Sequence, residues 1–586
     1  MGSAAAQRMR VAQWIIYLIC GALALLVGRL VHLRAKEAPF WQRYAQERQI
    51  STIPMPARRG FVFDRRFRVL AGSQELPTVF ADPRPMEDRG EAAQALSGIL
   101  NMPAREIRAL LDEPTAPGYV VLKRSVDARV VEEIKKAKIV GIGVHNEPFR
   151  TYPMGSLASH VVGFVGKDGN GLEGVEKYFE AYLHATPGKR DVYRDVRRRA
   201  VLPVPDSSVA PRDGDNVVLS IDVAIQEMVE KAVAEQVARF QAECGLGVVM
   251  DPKTGEVLAM TNQPTYAPSE GSEVPPERRR NRVLTDPVEP GSIFKPFVMV
   301  TALAEGVTTP TESIFCENGL YAVGARRLHD HHPYGFLTTA EVLAKSSNIG
   351  MAKLGERLGN QRMYEALYAL GFGHPTGIDL PGEDPGLLMP LRKWDKFTTT
   401  SVPMGQEIAV TPMQILTAFC ALVNGGRLIQ PRVVLAVIDR DGKLVRDNSR
   451  VIDKGQRINP TAAETIRKLL IGVVTEGTGK PANIPKWQLL GKTGTAQIPK
   501  IGGGHYEPDA YLGSFVAAAP ASDPRVAVLV MIRKPKRSIG YYGATVALPA
   551  VKTIMEGVLP YLNVPPDKEE PQKHANLARD SQTKYN

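Results

Sequence analysis

Residues 11–33 read VAQWIIYLICGALALLVGRLVHL, and no other stretch restricts the fold so severely. From Val11 to Gly28 the only strongly polar side chain is Gln13. Spanning a bilayer takes about 20 apolar residues, and every backbone N–H and C=O inside hydrocarbon must be paired within the segment. The run must therefore be a helix. No A-x-A-like cleavage site follows it, since the next residues are RAKEAPF, so it reads as a retained anchor rather than a cleaved signal peptide. Arg8 and Arg10 precede it and favour a cytoplasmic N-terminus, while Arg29, Arg34 and Lys36 pull the other way. The expectation is a single-pass protein of the cytoplasmic membrane. Residues 1–10 form a short cytoplasmic tail, residues 11–33 the anchor, and the remaining ~550 residues lie on the periplasmic or extracytoplasmic side.

With 586 residues, 44% hydrophobic and 23% charged, the chain can build two or three globular domains. Its net charge of +11 comes from scattered Lys and Arg, with neither zinc-finger spacing nor an RNP-type aromatic motif. Nucleic acid is thus set aside as a partner, in favour of a basic face near anionic lipid or an anionic wall polymer. Cys20 lies in the apolar run, and Cys244, Cys316 and Cys420 are far apart; they read as small buried residues, with no bridge assigned.

Beyond the anchor, residues 34–205 show helical patches alternating with short apolar runs. LPVPDSSVAPRDGD (202–215) reads as a linker. The pattern then becomes regular. VVLSID (217–222) predicts a strand ending in a possible N-cap, Asp222, and Ile225, Val229, Ala232 and Val233 follow at helical spacing. GLGVVMDPKTGEVLAMT (245–261) predicts a hairpin, and WQLLGKTGTAQI, YLGSFVAAAP and RVAVLVMIR predict three more strands after a helix-rich middle. The fold expected is mixed α/β (α+β). A five-stranded antiparallel sheet, assembled from both ends of residues 206–565, is flanked by helices. The polar segment 566–586 reads as a disordered tail.

EPGSIFKPF (289–297) places Ser292 and Lys295 three apart, on one face of a helix that Pro296 suggests has just begun. A hydroxyl and an amine could meet there, near the positive end of the helix dipole. Alone, S-x-x-K is too short to carry meaning. AKSSNIGM adds Ser346 and Asn348, and GKTGTAQ adds Lys492, Thr493, Gly494 and Thr495 on a predicted strand. Acyl transfer explains each member. Ser292 is the nucleophile. Lys295 is its base if burial and the like charge of Lys492 lower its pKa. Ser346 bridges the two amines and relays a proton to the leaving nitrogen. Asn348 bonds Lys295 and the substrate peptide, Lys492 supplies positive charge, Thr493 and Thr495 offer hydroxyls to a terminal carboxylate, and Gly494 allows close approach. Neither a metal nor a cofactor enters this chemistry.

The order S-x-x-K, S-x-N, K-T-G resembles the penicillin-binding and serine β-lactamase superfamily. Within it the chain is similar to class B penicillin-binding proteins. RGFVFDRRFRVLA (59–71), RTYPMGSLASHVVGFVG (150–166) and GLEGVE (171–176) resemble the family's pedestal motifs, while MGQEIAVTPMQ, NGG and GTG resemble its transpeptidase domain. SSNIGM is similar to the cell-division (FtsI-type) branch. Ile293 and Glu407 depart from the family pattern, which often has threonine and glycine there. The resemblance implies a pedestal over 34–205 and a transpeptidase over 206–565. It also implies a peptidoglycan D,D-transpeptidase that takes a D-Ala-D-Ala stem-peptide donor and an amine acceptor, and that β-lactams acylate. Implied partners are a polytopic glycan polymerase and other divisome membrane proteins. An elongation-type transpeptidase, a β-lactamase, and a non-catalytic β-lactam sensor or scaffold are the alternatives. HDHH (329–332) reads as a solvated loop rather than a metal site, and Arg197–Arg199 and Arg278–Arg280 as solvated or membrane-proximal surface. His160 reads as a structural hydrogen-bonding residue and Cys420 as core.

Overall fold

The computed structural model describes residues 2–38, 40–41, 50–113, 119–194, 200–500 and 505–568. They fall into two compact units, residues 1–58 with 185–213 and residues 59–184 with 214–586. In the first unit Gly2–His32 is a continuous α-helix followed by a π-turn at Leu33–Glu37. Among the described residues, Ser3–Lys36 is the one helix long and apolar enough to cross a membrane. Its large apolar side chains, such as Leu25 at 77% exposure, are left for lipid to cover. The same unit has a three-stranded antiparallel sheet in the order Ile50–Met55, Gly188–Arg194, Ala200–Pro203.

The second unit holds two larger sheets. One is mixed and seven-stranded. Its path runs Leu444–Asp447, Val434–Ile438, Asn216–Leu219, Val62–Phe63, Val69–Ala81, Val120–Lys123, and Ile142–Thr151 also pairs with Val69–Ala81. The three pedestal motifs of the sequence converge beside it. Glu176 is fully buried and accepts from Arg59 Nε and Arg150 Nε, each at 2.6 Å. Arg59 also reaches Glu180 at 2.6 Å, and Arg150 Nη1 donates to the Gly60 carbonyl at 2.7 Å. Removing one partner from such a cluster leaves uncompensated buried charge. Glu176→Ala is therefore expected to cost about 3–5 kcal/mol, read as a fall in the denaturant midpoint; an unchanged midpoint would contradict the assignment of this cluster as structural.

A second knot ties chain ends together. Asp64 accepts from Arg68 Nε at 2.7 Å, and Arg68 Nη2 lies 2.7 Å from Asp222. Asp222 caps the helix Val223–Arg239 through Ala224 N and accepts from the Tyr561 hydroxyl at 2.9 Å. His160 is buried, its Nε2 2.9 Å from the Arg278 carbonyl, and burial pushes its imidazole down to about 4. Arg278 and Arg280 are exposed, as a solvated surface requires, and Arg279 is partly buried. Their guanidinium groups meet Thr265 O, Glu173 and Asp286 at 2.8, 2.7 and 2.7 Å. Arg197–Arg199 lie outside the described residues.

The catalytic-region sheet is five-stranded and wholly antiparallel, in the order Val257–Gln263, Cys244–Met250, Val526–Arg533, Tyr506–Ala519, Leu490–Pro499. Alternation sends successive residues to opposite faces. Val528 and Val530 pack with Val229, Val233, Val551 and Ile554 from the helices Val223–Arg239 and Leu548–Tyr561. Leu529 and Met531 join the other core, with Phe297, Ile415, Phe419 and Ile466 from helices Lys295–Ala304, Pro412–Val423 and Pro460–Thr475. Both faces are covered, so these strands read as apolar runs. At the chain's end Asp567 accepts from Gln488 N at 2.6 Å and Lys568 Nζ donates to Asn483 at 2.5 Å. These two residues of the polar tail are thus bound, and residues 569–586 lie outside the described residues. Cys244, Cys316 and Cys420 are buried free thiols, and Cys20 is exposed and free.

Candidate active site

Gly291–Phe294 forms a 3₁₀ turn that runs into the α-helix Lys295–Ala304, with Pro296 in its first turn. Phe294 and Phe297 pack against Phe372 at ring separations of 5.0 and 5.2 Å, fixing the turn in the core. Gly291 N donates to the Gly405 carbonyl at 3.1 Å. Gly405 has φ +77, and a Cβ there would stand 2.2 Å from the Gly291 carbonyl oxygen, so only glycine fits. On the other side the turn meets the edge strand Leu490–Pro499. A Cβ on Gly494 would lie 2.8 Å from Ile293 Cγ2 and 3.2 Å from Ile293 N. Ser292 is therefore held at the margin of the K-T-G strand.

The second motif enters from a helix start. Ser347 caps Asn348–Leu358 through Gly350 N, and Ser346, just before it, has φ +60. The three motifs meet at two amines. Lys295 Nζ donates to the Ser346 carbonyl at 2.6 Å, Ser346 Oγ at 3.1 Å and Asn348 Oδ1 at 2.8 Å. Lys492 Nζ donates to Ser346 Oγ at 2.9 Å and to Thr493 O at 3.0 Å. Ser346 Oγ thus lies between two fully buried lysines. The sequence spacing suggested contact between Lys295 and Ser292, yet the amine is directed at the S-x-N motif. An ammonium has three protons, all taken here, so Lys295 can receive a proton from Ser292 only after losing one.

Burial makes that loss accessible. It pushes the Lys295 amine down to about 7, against the opposing pull of Asp330. Lys492 is held well below its ordinary value, first by burial and then by the charge of Lys295. The two amines repel one another, so each makes the other easier to deprotonate. Asn348 Oδ1 serves Lys295 as expected, and its Nδ2 donates to the His329 carbonyl at 2.9 Å. Thr493 Oγ1 lies 2.6 Å from Thr478 Oγ1, and Thr495 Oγ1 accepts from Gly543 N at 3.0 Å.

Several participants were not visible in the sequence. Asp330, read as part of a solvated loop, accepts from Ser347 Oγ at 2.6 Å, Asn348 N at 2.5 Å and Ile349 N at 3.1 Å. Only its position in HDHH signalled it. The departure at Glu407 is accommodated locally: its carboxylate accepts from Ser401 at 2.7 Å and Thr398 at 2.9 Å and faces Arg326 at 3.4 Å. Its own N–H donates to Glu289 at 3.0 Å. Ile293 is buried against Gly494.

The family described as Penicillin binding protein transpeptidase domain matches residues 245–556, and that described as Penicillin-binding Protein dimerisation domain matches residues 54–219. The chain is 34% identical to the Probable peptidoglycan D,D-transpeptidase PbpC of Pseudomonas aeruginosa over 92% of this chain and 93% of that one. It is 32% identical to the Peptidoglycan D,D-transpeptidase FtsI of Escherichia coli K12 over 94% and 93%. Among solved structures, penicillin binding protein 3 from Mycobacterium tuberculosis, complexed with aztreonam, superposes with a TM-score of 0.68 at 30% identity, covering 88% of this chain and 99% of that one. Two buried lysines joined through one serine, at the edge of a five-stranded sheet, and matches over most of its length place this chain in the penicillin-binding protein family, with a transpeptidase and a dimerisation domain.

Proposed function

We propose that the protein is a peptidoglycan D,D-transpeptidase that cross-links stem peptides through a serine acyl-enzyme. The observation that carries this reading is the bridge of Ser346 Oγ between Lys295 and Lys492, at 3.1 and 2.9 Å. Ser292 Oγ attacks the penultimate D-Ala carbonyl and passes its proton to neutral Lys295. Backbone N–H groups of Ser292 and Thr495 receive the oxyanion. Ser346 relays a proton to the departing D-Ala amine, and an acceptor amine then attacks the ester and restores Ser292. Asn348, Thr493, Gly494 and Thr495 seat the donor peptide along the edge strand, and Lys492 attracts its carboxylate. β-Lactams enter by the same route, because their ring presents an acyl group and a carboxylate.

A fluorescent penicillin separates the readings. Stable labelling supports the transpeptidase, rapid turnover a β-lactamase, and no labelling a scaffold. In this reading 34–205 is the pedestal and 206–565 the catalytic domain, anchored once in the cytoplasmic membrane with the catalytic part outside. A polytopic glycan polymerase and other divisome proteins are the partners. Septal use is favoured by the S-S-N motif and is tested by localising a fluorescent fusion in dividing cells. Deleting residues 1–36 is expected to give soluble protein that still takes up penicillin, since all catalytic motifs lie beyond the linker. Insolubility of every such truncation, without labelling, would count against this division.

A further inference from the structure

We infer that Asp330 is a positioning residue that also sets how many protons the two active-site lysines hold. The inference rests on the proposed base role of Lys295. The carboxylate has two functions that geometry keeps separable. It accepts from Ser347 Oγ and from the N–H groups of Asn348 and Ile349, so it clamps the helix start that presents Ser346 and Asn348. Through Asn348, whose side chain accepts from Lys295 Nζ, it is one residue removed from the catalytic amine.

The charges around that amine are few. Lys492 faces it across Ser346 from the strand Leu490–Pro499. On neighbouring elements Lys345 is turned to Glu341 at 2.9 Å and Lys353 to Glu317 at 2.5 Å, while Arg327, His329, His331 and His332 flank Asp330 along its own strand and loop. Asp330 is the carboxylate whose charge acts on Lys295. Two buried amines with one carboxylate nearby are closest to neutrality when they hold one extra proton between them. One lysine is then a free base for Ser292, and the other keeps the positive charge a carboxylate-bearing substrate needs. Without Asp330 the site should favour losing that last proton at lower pH. A base would be available earlier, but the attraction for substrate carboxylate would fade.

The test is the second-order rate of acylation by a chromogenic cephalosporin from pH 5.5 to 9.5. It uses the membrane-extracted full chain and the variants Asp330→Asn and Asp330→Glu. Asparagine can still accept from Asn348 and Ile349, so it keeps much of the clamp while deleting the charge. The acid limb, which lies near pH 7 in the wild type if Lys295 is the base, should move down by about one unit in the asparagine variant, as for loss of a nearby opposite charge. The rate at pH 6 relative to each protein's own maximum should then rise about five-fold. Asp330→Glu loosens the clamp and keeps the charge. It should lower the maximum while leaving the limb in place, and this reading stands even if the asparagine variant does not fold. A limb that stays put in Asp330→Asn, or that moves equally in Asp330→Glu, overturns the inference and leaves Asp330 a purely structural clamp. Failure of the wild type itself to take up the cephalosporin would instead refute the transpeptidase reading.

Discussion

Ser292→Ala is expected to abolish covalent labelling by fluorescent penicillin and to leave the folded protein intact. The change deletes one hydroxyl from a half-buried position in the 3₁₀ turn Gly291–Phe294. The turn itself is held by Phe294 in the core and by the bond from Gly291 N to Gly405 O. None of those contacts uses the serine side chain, so the cost to stability should stay within about 0.5 kcal/mol. The chemical effect is total, because no acyl-enzyme forms without the attacking oxygen. Labelling in gel, with the labelled peptide identified by mass spectrometry, reads the result. Label retained on another serine would remove Ser292 from its role.

Lys295→Arg should fail almost as completely, for a different reason. Arginine keeps positive charge at similar length, but its guanidinium remains protonated above pH ~12 and cannot accept a proton from Ser292. Loss of the general base alone is worth about 10²–10⁴ in acylation rate. The pH profile carries the sign. Burial lowers the Lys295 amine to about 7, so its basic form grows as pH rises through 7, and wild-type acylation should climb across that range. The arginine variant should show no such climb. A rate near that of the wild type would refute Lys295 as the base and assign the role to Lys492, which reaches Ser346 Oγ at 2.9 Å.

What the sequence disclosed was whatever local pattern encodes. Short apolar runs bounded by Gly/Pro punctuation found the five strands, because both faces of that sheet are covered. The N-cap at Asp222, the helix beginning near Ser292 and the three catalytic motifs were legible for the same reason. Contacts between distant segments were not. Asn216–Leu219 pairs in parallel with Val62–Phe63 and antiparallel with Val434–Ile438, and no periodicity reveals such partners. Asp330 looked like a loop residue because its three donors lie seventeen to nineteen positions away. Arg278 and Arg280 are surface residues, as charge runs usually are, while Arg279 is partly buried against Glu173, a partner 106 positions away. The opposing pull of Asp330 on Lys295 was likewise out of reach of local pattern.

The five-stranded sheet begins with Cys244–Met250 and is finished only by Leu490–Pro499, Tyr506–Ala519 and Val526–Arg533, its closing strands. Ser292 and Lys492 stand 200 residues apart in the chain. In a chain synthesised from its N-terminus, the serine is made long before the strand that completes its surroundings. Such non-local pairing makes folding slow and all-or-none for the site. A chain made only as far as residue 489 therefore has Ser292 and Lys295 with neither the second amine, Lys492, nor the edge strand Leu490–Pro499. The cluster of two lysines and one serine is thus completed as a single late event of folding.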